Sequence, residues 1–272
     1  MINAVAGFLN RFVQLDRIKG KVSKFWYRYL NNLIKDRADV CFLNYGYAPL
    51  DDERISLKDE DETNRIYIQL YHSVAGAIDL NGLEVVEMSC GRGGGAKYVK
   101  QYLKPKTMLG IDRAENAIAF CKKCHVEDGL SYACGDAQAM PLADACCDVL
   151  LNVEASHDYP DINLFLSEVV RVLRPGGRFL YTDFRKKQLY DAWRGQLVQS
   201  GLEIVEEEDI SANVAKGLEL NTERSKALIR DLTPALLSPV FTQFAGTEGS
   251  LIHKSLRSGK TTYRRFVLRK KA

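Results

Sequence analysis

Glu87-Met88-Ser89-Cys90-Gly91-Arg92-Gly93-Gly94-Gly95 follows an apolar run and precedes a helical pattern. A glycine-rich turn of this kind presents backbone N–H groups at a helix N-terminus to a ligand lying close to the main chain. A branched side chain at Gly93 is expected to hold such a ligand away. Read literally, Gly91 to Ala96 also fits the dinucleotide fingerprint G-x-G-x-x-A, and Asp112 lies 21 residues after Gly91, where that motif places its ribose-binding acid. Two features separate the cofactors. Glu87 sets a negative charge beside the ligand, which suits the ammonium and sulfonium of S-adenosylmethionine and repels the pyrophosphate of a nicotinamide dinucleotide. Cys134-Gly135-Asp136-Ala137 forms a short acidic turn that can accept from an adenine amino group while its backbone reads the ring edge. Together they favour S-adenosylmethionine. A nicotinamide-dependent oxidoreductase stays as a distant alternative, and a nucleotide-binding module without turnover as a third.

His157 belongs to the polar stretch Glu154-Ala155-Ser156-His157-Asp158-Tyr159, just past a run that reads as the fourth strand. Ligands of an open α/β sheet bind at that edge. Methyl transfer from a sulfonium is an in-line displacement, so an alcohol acceptor needs a base, and a neutral imidazole supplies roughly 10²–10⁴-fold. A carboxylate acceptor needs only desolvation and alignment. The same histidine can instead hydrogen-bond the backbone or shape a pocket. Asp183, in Thr182-Asp183-Phe184, either orients His157 or the acceptor, or is a strand-end acid. Asp112 and Asp136 likewise stand where a helix or turn could use them as caps. Cys121-Lys122-Lys123-Cys124-His125 matches a haem-attachment pattern and half a zinc site, but it lies within a helical pattern and nothing completes the ligand set, so no metal is expected. His72 reads as a packing or capping residue, and His125 and His253 as surface residues.

The elements that must position these groups alternate regularly. A helix with Tyr67, Leu70, Tyr71, Val74 and Ile78 leads into LEVVEM, the glycine turn, a helix and TMLGID, which is a βαβ signature. A helix at 115–126, strands LSYAC and CDVLLNV, helix INLFLSEVVRVL, a stop at RPGG and strand RFLYTDF continue the pattern, with a further helix at 188–200. The strands LEIVEEEDI and TTYRRFVLRK flank a helical stretch large enough to form a lid. The fold class is therefore α/β: a Rossmann-like, doubly wound, mostly parallel seven-stranded sheet with N-terminal helices and a helical lid insertion. The expected division is an N-terminal helical cap at 1–43, a linker or flap at 44–65 and a core at 66–210. The lid insertion follows at 211–257 and the final strand at 258–272.

The chain has 272 residues, 46% hydrophobic and 27% charged, with 38 basic against 35 acidic residues for a net charge of +3. That is room for one large domain with an embedded cap, and the near balance of charge argues against nucleic acid as a partner. No stretch approaches the roughly 18–20 apolar residues of a bilayer span. The first residues lack a basic region before a cleavable apolar core, so a cytoplasmic protein is expected. Seven cysteines suit reduced, buried thiols better than a disulfide framework. Helices are expected at 5–18 and 22–37, and residues 1–37 carry a net +6, which reads as a solvated helix face in preference to a transient membrane-surface contact. These helices could roof the site or join two copies in a homo-oligomer.

The chain resembles the class I S-adenosylmethionine-dependent methyltransferases through VVEMSCGRGGG, GIDRAENAI, GDAQAMPL, CDVLLNVEASH and VVRVLRPGGRFLYTD, in that order across 85–183. A narrower resemblance, carried by FLNYGY, QLYH, SCGRGGG and NVEASHDYP, is to the phthiotriol/phenolphthiotriol dimycocerosate methyltransferases and their lipid- or fatty-acid-methylating relatives. It runs over most of the chain and fades in 185–260. The resemblance implies that Glu87 and the turn with Ser89, Gly91 and Gly93 hold the methionine end of the cofactor. It further implies that Asp112 holds the ribose hydroxyls with Arg113 alongside, that Asp136 and Ala137 hold the adenine, and that Asn152 lies beneath the sulfonium. Ser89 departs from the glycine the broad family often has, and a small hydroxyl can turn there. The implied activity is methylation of a hydroxyl, or of a carboxylate, on a small or lipid-like apolar molecule contacted by Phe25, Tyr29, Tyr47 and Tyr159. Methylation of an electron-rich carbon, with aromatic and carboxylate groups stabilising a carbocation, is the alternative.

Overall fold

The computed structural model describes residues 34, 37–51, 53–234 and 237–271. The N-terminal helices, with Phe25 and Tyr29, lie outside the described residues apart from Ile34 and Arg37. Seven strands form one sheet: β1 Glu84–Met88, β2 Thr107–Asp112, β3 Leu130–Cys134, β4 Cys147–Val153, β5 Leu173–Lys186, β6 Leu202–Asp209 and β7 Thr261–Lys270. Their spatial order is β3-β2-β1-β4-β5-β7-β6. The first five are parallel, and β7 runs antiparallel between β5 and β6. Strand order reverses between β1 and β4, so a crevice opens beyond their C-terminal ends, where open α/β sheets bind ligands.

The central strands are apolar on both faces because helices cover both, and alternation along each strand divides its side chains between two cores. Val85, Val149, Leu151 and Leu180 face one core, with residues from α1 Arg65–Ala75, α2 Gly94–Tyr98, α3 Glu115–Cys124, α6 Ser211–Leu232 and α8 Leu251–Arg257. Val86, Leu150, Phe179 and Tyr181 face the other, against α4 Ile162–Val172 and α5 Tyr190–Gln199. Asp161 starts α4 by accepting from the N–H groups of Asn163 and Leu164, an N-cap worth about 1 kcal/mol. The insertion between β6 and β7 folds as α6, α7 Ser238–Phe244 and α8. No helix among the described residues is long and apolar enough to cross a membrane.

Three expectations change. RPGG does not separate helix from strand: β5 already begins at Leu173, and the pairing skips from Cys147–Leu173 to Val149–Arg178, so Arg174–Gly177 form a bulge. The stretch expected as a linker or flap is packed over 44–50, where Asn44, Gly46 and Ala48 are buried. The cysteines are all free, but Cys124 and Cys134 are exposed, because one ends α3 and the other ends the edge strand β3.

A tight contact between helices lies next to the crevice. A Cβ on Gly95 of α2 would sit 2.0 Å from the Tyr71 ring of α1. Glycine alone leaves room for the Tyr71 ring against the α2 backbone, and that packing places the Tyr71 hydroxyl at the end of β1. Gly95→Ala should therefore cost about 1–3 kcal/mol of stability by overpacking. Urea unfolding of the variant measures this, and an unchanged midpoint would contradict the packing.

Candidate active site

Glu87 is wholly buried in β1. Its Oε1 accepts from the Tyr71 hydroxyl at 2.7 Å, while Oε2 has no partner. Burial pushes its carboxyl up to about 7. On the neighbouring strand Asn152 is equally buried; its Nδ2 donates to the Met88 carbonyl at 2.8 Å and to the Tyr159 hydroxyl at 2.9 Å, and its Oδ1 is unpartnered. Two orphaned acceptors beside the crevice are costly unless a ligand supplies donors. An ammonium supplies such donors, and a sulfonium nearby adds a positive charge that favours the same oxygens.

The turn after β1 is built to pass close beneath such a ligand. Ser89 takes a left-handed φ of 65°, which accounts for glycine being natural there, and its Oγ lies 2.5 Å from the Tyr159 hydroxyl. Asp112 is buried at the end of β2, where Oδ2 accepts from Gly91 N–H and Oδ1 from Ala114 N–H, both at 2.9 Å. It thus caps locally, and each oxygen keeps capacity for one ribose hydroxyl. Burial raises its pKa, against the backbone donors that lower it. Asp136 is exposed and accepts from Gln138 N–H at 2.9 Å; Ala137 beside it is buried, and Arg113 is exposed. Gly93 is required for a different reason from the one expected. Its φ is +75°, and a Cβ would meet Cys121 Sγ at 2.8 Å and the Tyr132 ring at 2.9 Å, so packing behind the turn excludes a side chain.

At the end of β5, Asp183 is completely buried. Oδ1 lies 2.7 Å from His157 Nδ1 and accepts from Phe184 N–H; Oδ2 accepts from His157 N–H at 2.8 Å and Ser156 Oγ at 2.6 Å, with Arg185 at 3.1 Å. Burial alone would raise this carboxyl, but Arg185, His157 and Ser156 outweigh it and hold it well below the usual range. An ionised Asp183 fixes the proton on Nδ1 and leaves Nε2 as the basic nitrogen. Burial lowers the His157 pKa, and Asp183 reverses this and raises it above 6.5. The imidazole is 26% exposed and packs 4.4 Å from the Phe184 ring.

The structure brings together Ser89, Asn152 and Tyr159 in one hydrogen-bonded group, with Glu87 of the adjoining strand bonded to Tyr71, and His157 with Asp183 in another. It makes Tyr159 part of the crevice wall, bonded to cofactor-side residues. Tyr47 bonds through its backbone to α1, and its neighbour Tyr45 stacks 5.5 Å from Phe184 instead. Glu154 was not singled out from sequence. It has a left-handed φ of 48° and is partly buried, accepts from Tyr45 N–H and the Tyr263 hydroxyl, and is pushed up to about 7 by burial. Its only signal was an acid two residues past Asn152. His125 and His253 are buried rather than on the surface; the first bonds the Arg92 carbonyl at 2.8 Å and the second Glu219 at 2.9 Å. A groove at the opposite end of the sheet, lined by Leu83, Asp148 and Arg174, touches none of these groups. Among the described residues no group of three or more His, Cys, Asp or Glu could hold a metal ion.

Comparison with known proteins places the chain in a family. The methyltransferase domain family matches residues 86–181. The fatty-acid O-methyltransferase of Mycolicibacterium smegmatis is 39% identical over 256 residues, covering 94% of this chain and 92% of that protein. The phthiotriol/phenolphthiotriol dimycocerosates methyltransferase of Mycobacterium tuberculosis is 38% identical over 250 residues, 92% of each. Among solved structures the cyclase SpnF superposes with a TM-score of 0.68 at 18% identity, covering 90% of this chain and 94% of that one, which is a likeness of fold.

A buried Glu87 that ionises near 7 binds a cationic ligand better once it has lost its proton. Affinity for S-adenosylhomocysteine, which keeps the ammonium, should rise between about pH 6 and about pH 8. Glu87→Gln should bind more weakly and lose that dependence. Calorimetry at both pH values checks this, and a flat profile in the parent protein would separate Glu87 from the ammonium.

Proposed function

The chain belongs to the S-adenosylmethionine-dependent methyltransferases, and on that premise we propose that it methylates an oxygen of a lipid-like, apolar acceptor with His157 as the base. The observation that carries this reading is the His157–Asp183 pair, with Nδ1 bonded to Asp183 at 2.7 Å and Nε2 lying 4.0 Å from the Asp158 carboxylate. The relatives named for fatty acids and for phthiotriol dimycocerosates support the lipid-like acceptor. So do Tyr45, Phe184 and Tyr263, whose rings lie around the same edge.

S-adenosylmethionine, when bound, supplies an electrophilic methyl on a positively charged sulfur. With the cofactor bound, Glu87 and Asn152 would hold its amino-acid end through their free oxygens, and Asp112 would hold its sugar. Asp183 keeps His157 in the tautomer with a bare Nε2. His157 would take the hydroxyl proton at Nε2 as the acceptor oxygen is methylated, the cofactor supplying the methyl group and leaving as the neutral thioether. A carboxylate acceptor has no proton to give, and His157 would then only orient it. The aromatic rings exclude water, which makes either oxygen a better nucleophile.

Carbon methylation is the second reading, favoured by one observation. Glu154 is a carboxylate bonded to Tyr263 and to the backbone of Tyr45, and both rings pack on Phe184, which together suit a cationic intermediate. Mass spectrometry of a lipid extract incubated with the enzyme and isotopically labelled methyl donor separates the readings by naming the product.

For an alcohol acceptor, His157→Ala should lower turnover by about 10²-fold or more while S-adenosylhomocysteine affinity stays unchanged. A small loss would point to a carboxylate or carbon acceptor. The base works in its neutral form and its pKa is raised above 6.5, so kcat/KM should climb with pH through an ionisation above that value. Asp183→Asn removes the main cause of the rise and should move the ionisation down as well as slow the reaction.

A further inference from the structure

Residues 37–50 contain no helix or strand, so their main-chain groups must find partners elsewhere. They find them around the site, on the glycine turn, on Glu154, on α1 and on α6. Arg92 donates from Nε to the Val40 carbonyl at 2.6 Å and from Nη2 to the Arg37 carbonyl at 2.8 Å, and Gly94 N–H reaches the Cys41 carbonyl at 3.3 Å. Tyr45 N–H donates to Glu154 at 2.9 Å. Tyr47 donates to the Ile66 carbonyl and accepts from Gln69, both at 2.9 Å. Ala48 pairs with Asn213, and Lys216 reaches the Pro49 carbonyl at 2.6 Å. The segment is a strap running from the cofactor turn, past the acceptor end of the crevice, to the helical insertion.

Arg92 is the unexpected anchor. It occupies the variable place of G-x-G, where an arginine would ordinarily meet solvent or an anion. Here it is 2% exposed, lies 3.5 Å from the centre of the Phe120 ring and directs its planar fork at the strap. Burying a guanidinium is costly unless its donors are well used. The turn that carries Gly91 and Gly93 therefore also holds Arg37 and Val40. Through the strap it bears on Tyr45, then on Phe184 at 5.5 Å, then on His157 at 4.4 Å.

We propose that Arg92 is a positioning residue that joins the cofactor turn to the acceptor roof, so that filling the cofactor site orders residues 40–49 over the acceptor end. The proposal rests on the S-adenosylmethionine reading of the turn. Coupling of this kind is reciprocal, so an ordered strap also tightens the hold on the cofactor.

The test is hydrogen exchange, followed by mass spectrometry, on the full chain with and without S-adenosylhomocysteine. Bound S-adenosylhomocysteine should slow exchange of the 40–49 amides by about tenfold or more. In Arg92→Gln, S-adenosylhomocysteine should bind up to about tenfold more weakly, and at saturating S-adenosylhomocysteine the slowing of the 40–49 amides should be lost. Arg92→Lys, which keeps the charge but not the fork, should restore only part of it. Strap exchange that ignores bound S-adenosylhomocysteine in the parent protein overturns the proposal, as does full slowing in both variants. If the variants do not fold, the parent protein alone decides. Failure of the parent protein to bind S-adenosylhomocysteine is a different result and overturns the reading of the turn itself.

Discussion

Three carboxylates crowd the C-terminal edge of three adjacent parallel strands, and the structure around the crevice is arranged to make them tolerable. Glu87 ends β1, Glu154 follows β4 and Asp183 lies in β5. An ionised carboxylate away from water is expensive unless it is paired and hydrogen-bonded. The three are handled differently. Asp183 receives donors on both oxygens and an arginine, and stays ionised. Glu154 receives a tyrosine hydroxyl and one backbone N–H, and Glu87 a single tyrosine hydroxyl; both are pushed up to about 7. Identical chemistry at one edge thus yields a fixed charge that orients a base, and two carboxyls whose charge depends on what approaches them.

Backbone geometry serves the same end. Ser89 and Glu154, just beyond neighbouring strands, both take left-handed conformations that side-chain-bearing residues seldom adopt. Each turns the chain sharply at the switch point. At Ser89 the turn sends the main chain back so that Gly91 N–H meets Asp112 at 2.9 Å. At Glu154 it coincides with a side chain fastened to Tyr45 and Tyr263, from the strap and from β7. The strain sits where the chain must hold ligands.

Most of the sheet was legible because its signals are local. Strands LSYAC, CDVLLNV and TTYRRFVLRK were bounded to the residue, since apolar runs between turn residues leave little freedom. The cofactor turn and the His157–Asp183 pair could be placed because residues beyond parallel strands share one edge. What stayed hidden depends on contacts between distant segments. Nothing in Asn44-Tyr45-Gly46-Tyr47 tells that Glu154, 109 residues after Tyr45, accepts the Tyr45 N–H. A glycine and a proline beside acids read as a linker, whereas the segment is held by partners from α1, α6 and the glycine turn. Arg92 carried no signal in the sequence, and only the fold shows Phe120 and two carbonyls enclosing it. Gly93 was identified for its place before a ligand, yet Cys121 and Tyr132 behind it impose the requirement.

The buried carboxyls also tie stability to occupancy. A group whose folded pKa is raised contributes stability below its unfolded value and loses it as pH rises through the folded value. Glu87 and Glu154, raised from 4.5 to about 7, therefore weaken the empty fold between those values, each by about 3 kcal/mol. His157 acts in the same direction above 6.5, because its raised pKa stabilises only the protonated ring. Asp183 acts oppositely and only in acid. At neutral pH the fold thus carries a cost centred on the crevice, which local hydrogen bonds do not remove. A cation beside Glu87 reverses that cost, since it makes the ionised carboxylate the favoured form. The half-partnered Glu87 is thereby a costly structural residue, and its free oxygen is the group in the crevice that a cation would stabilise most.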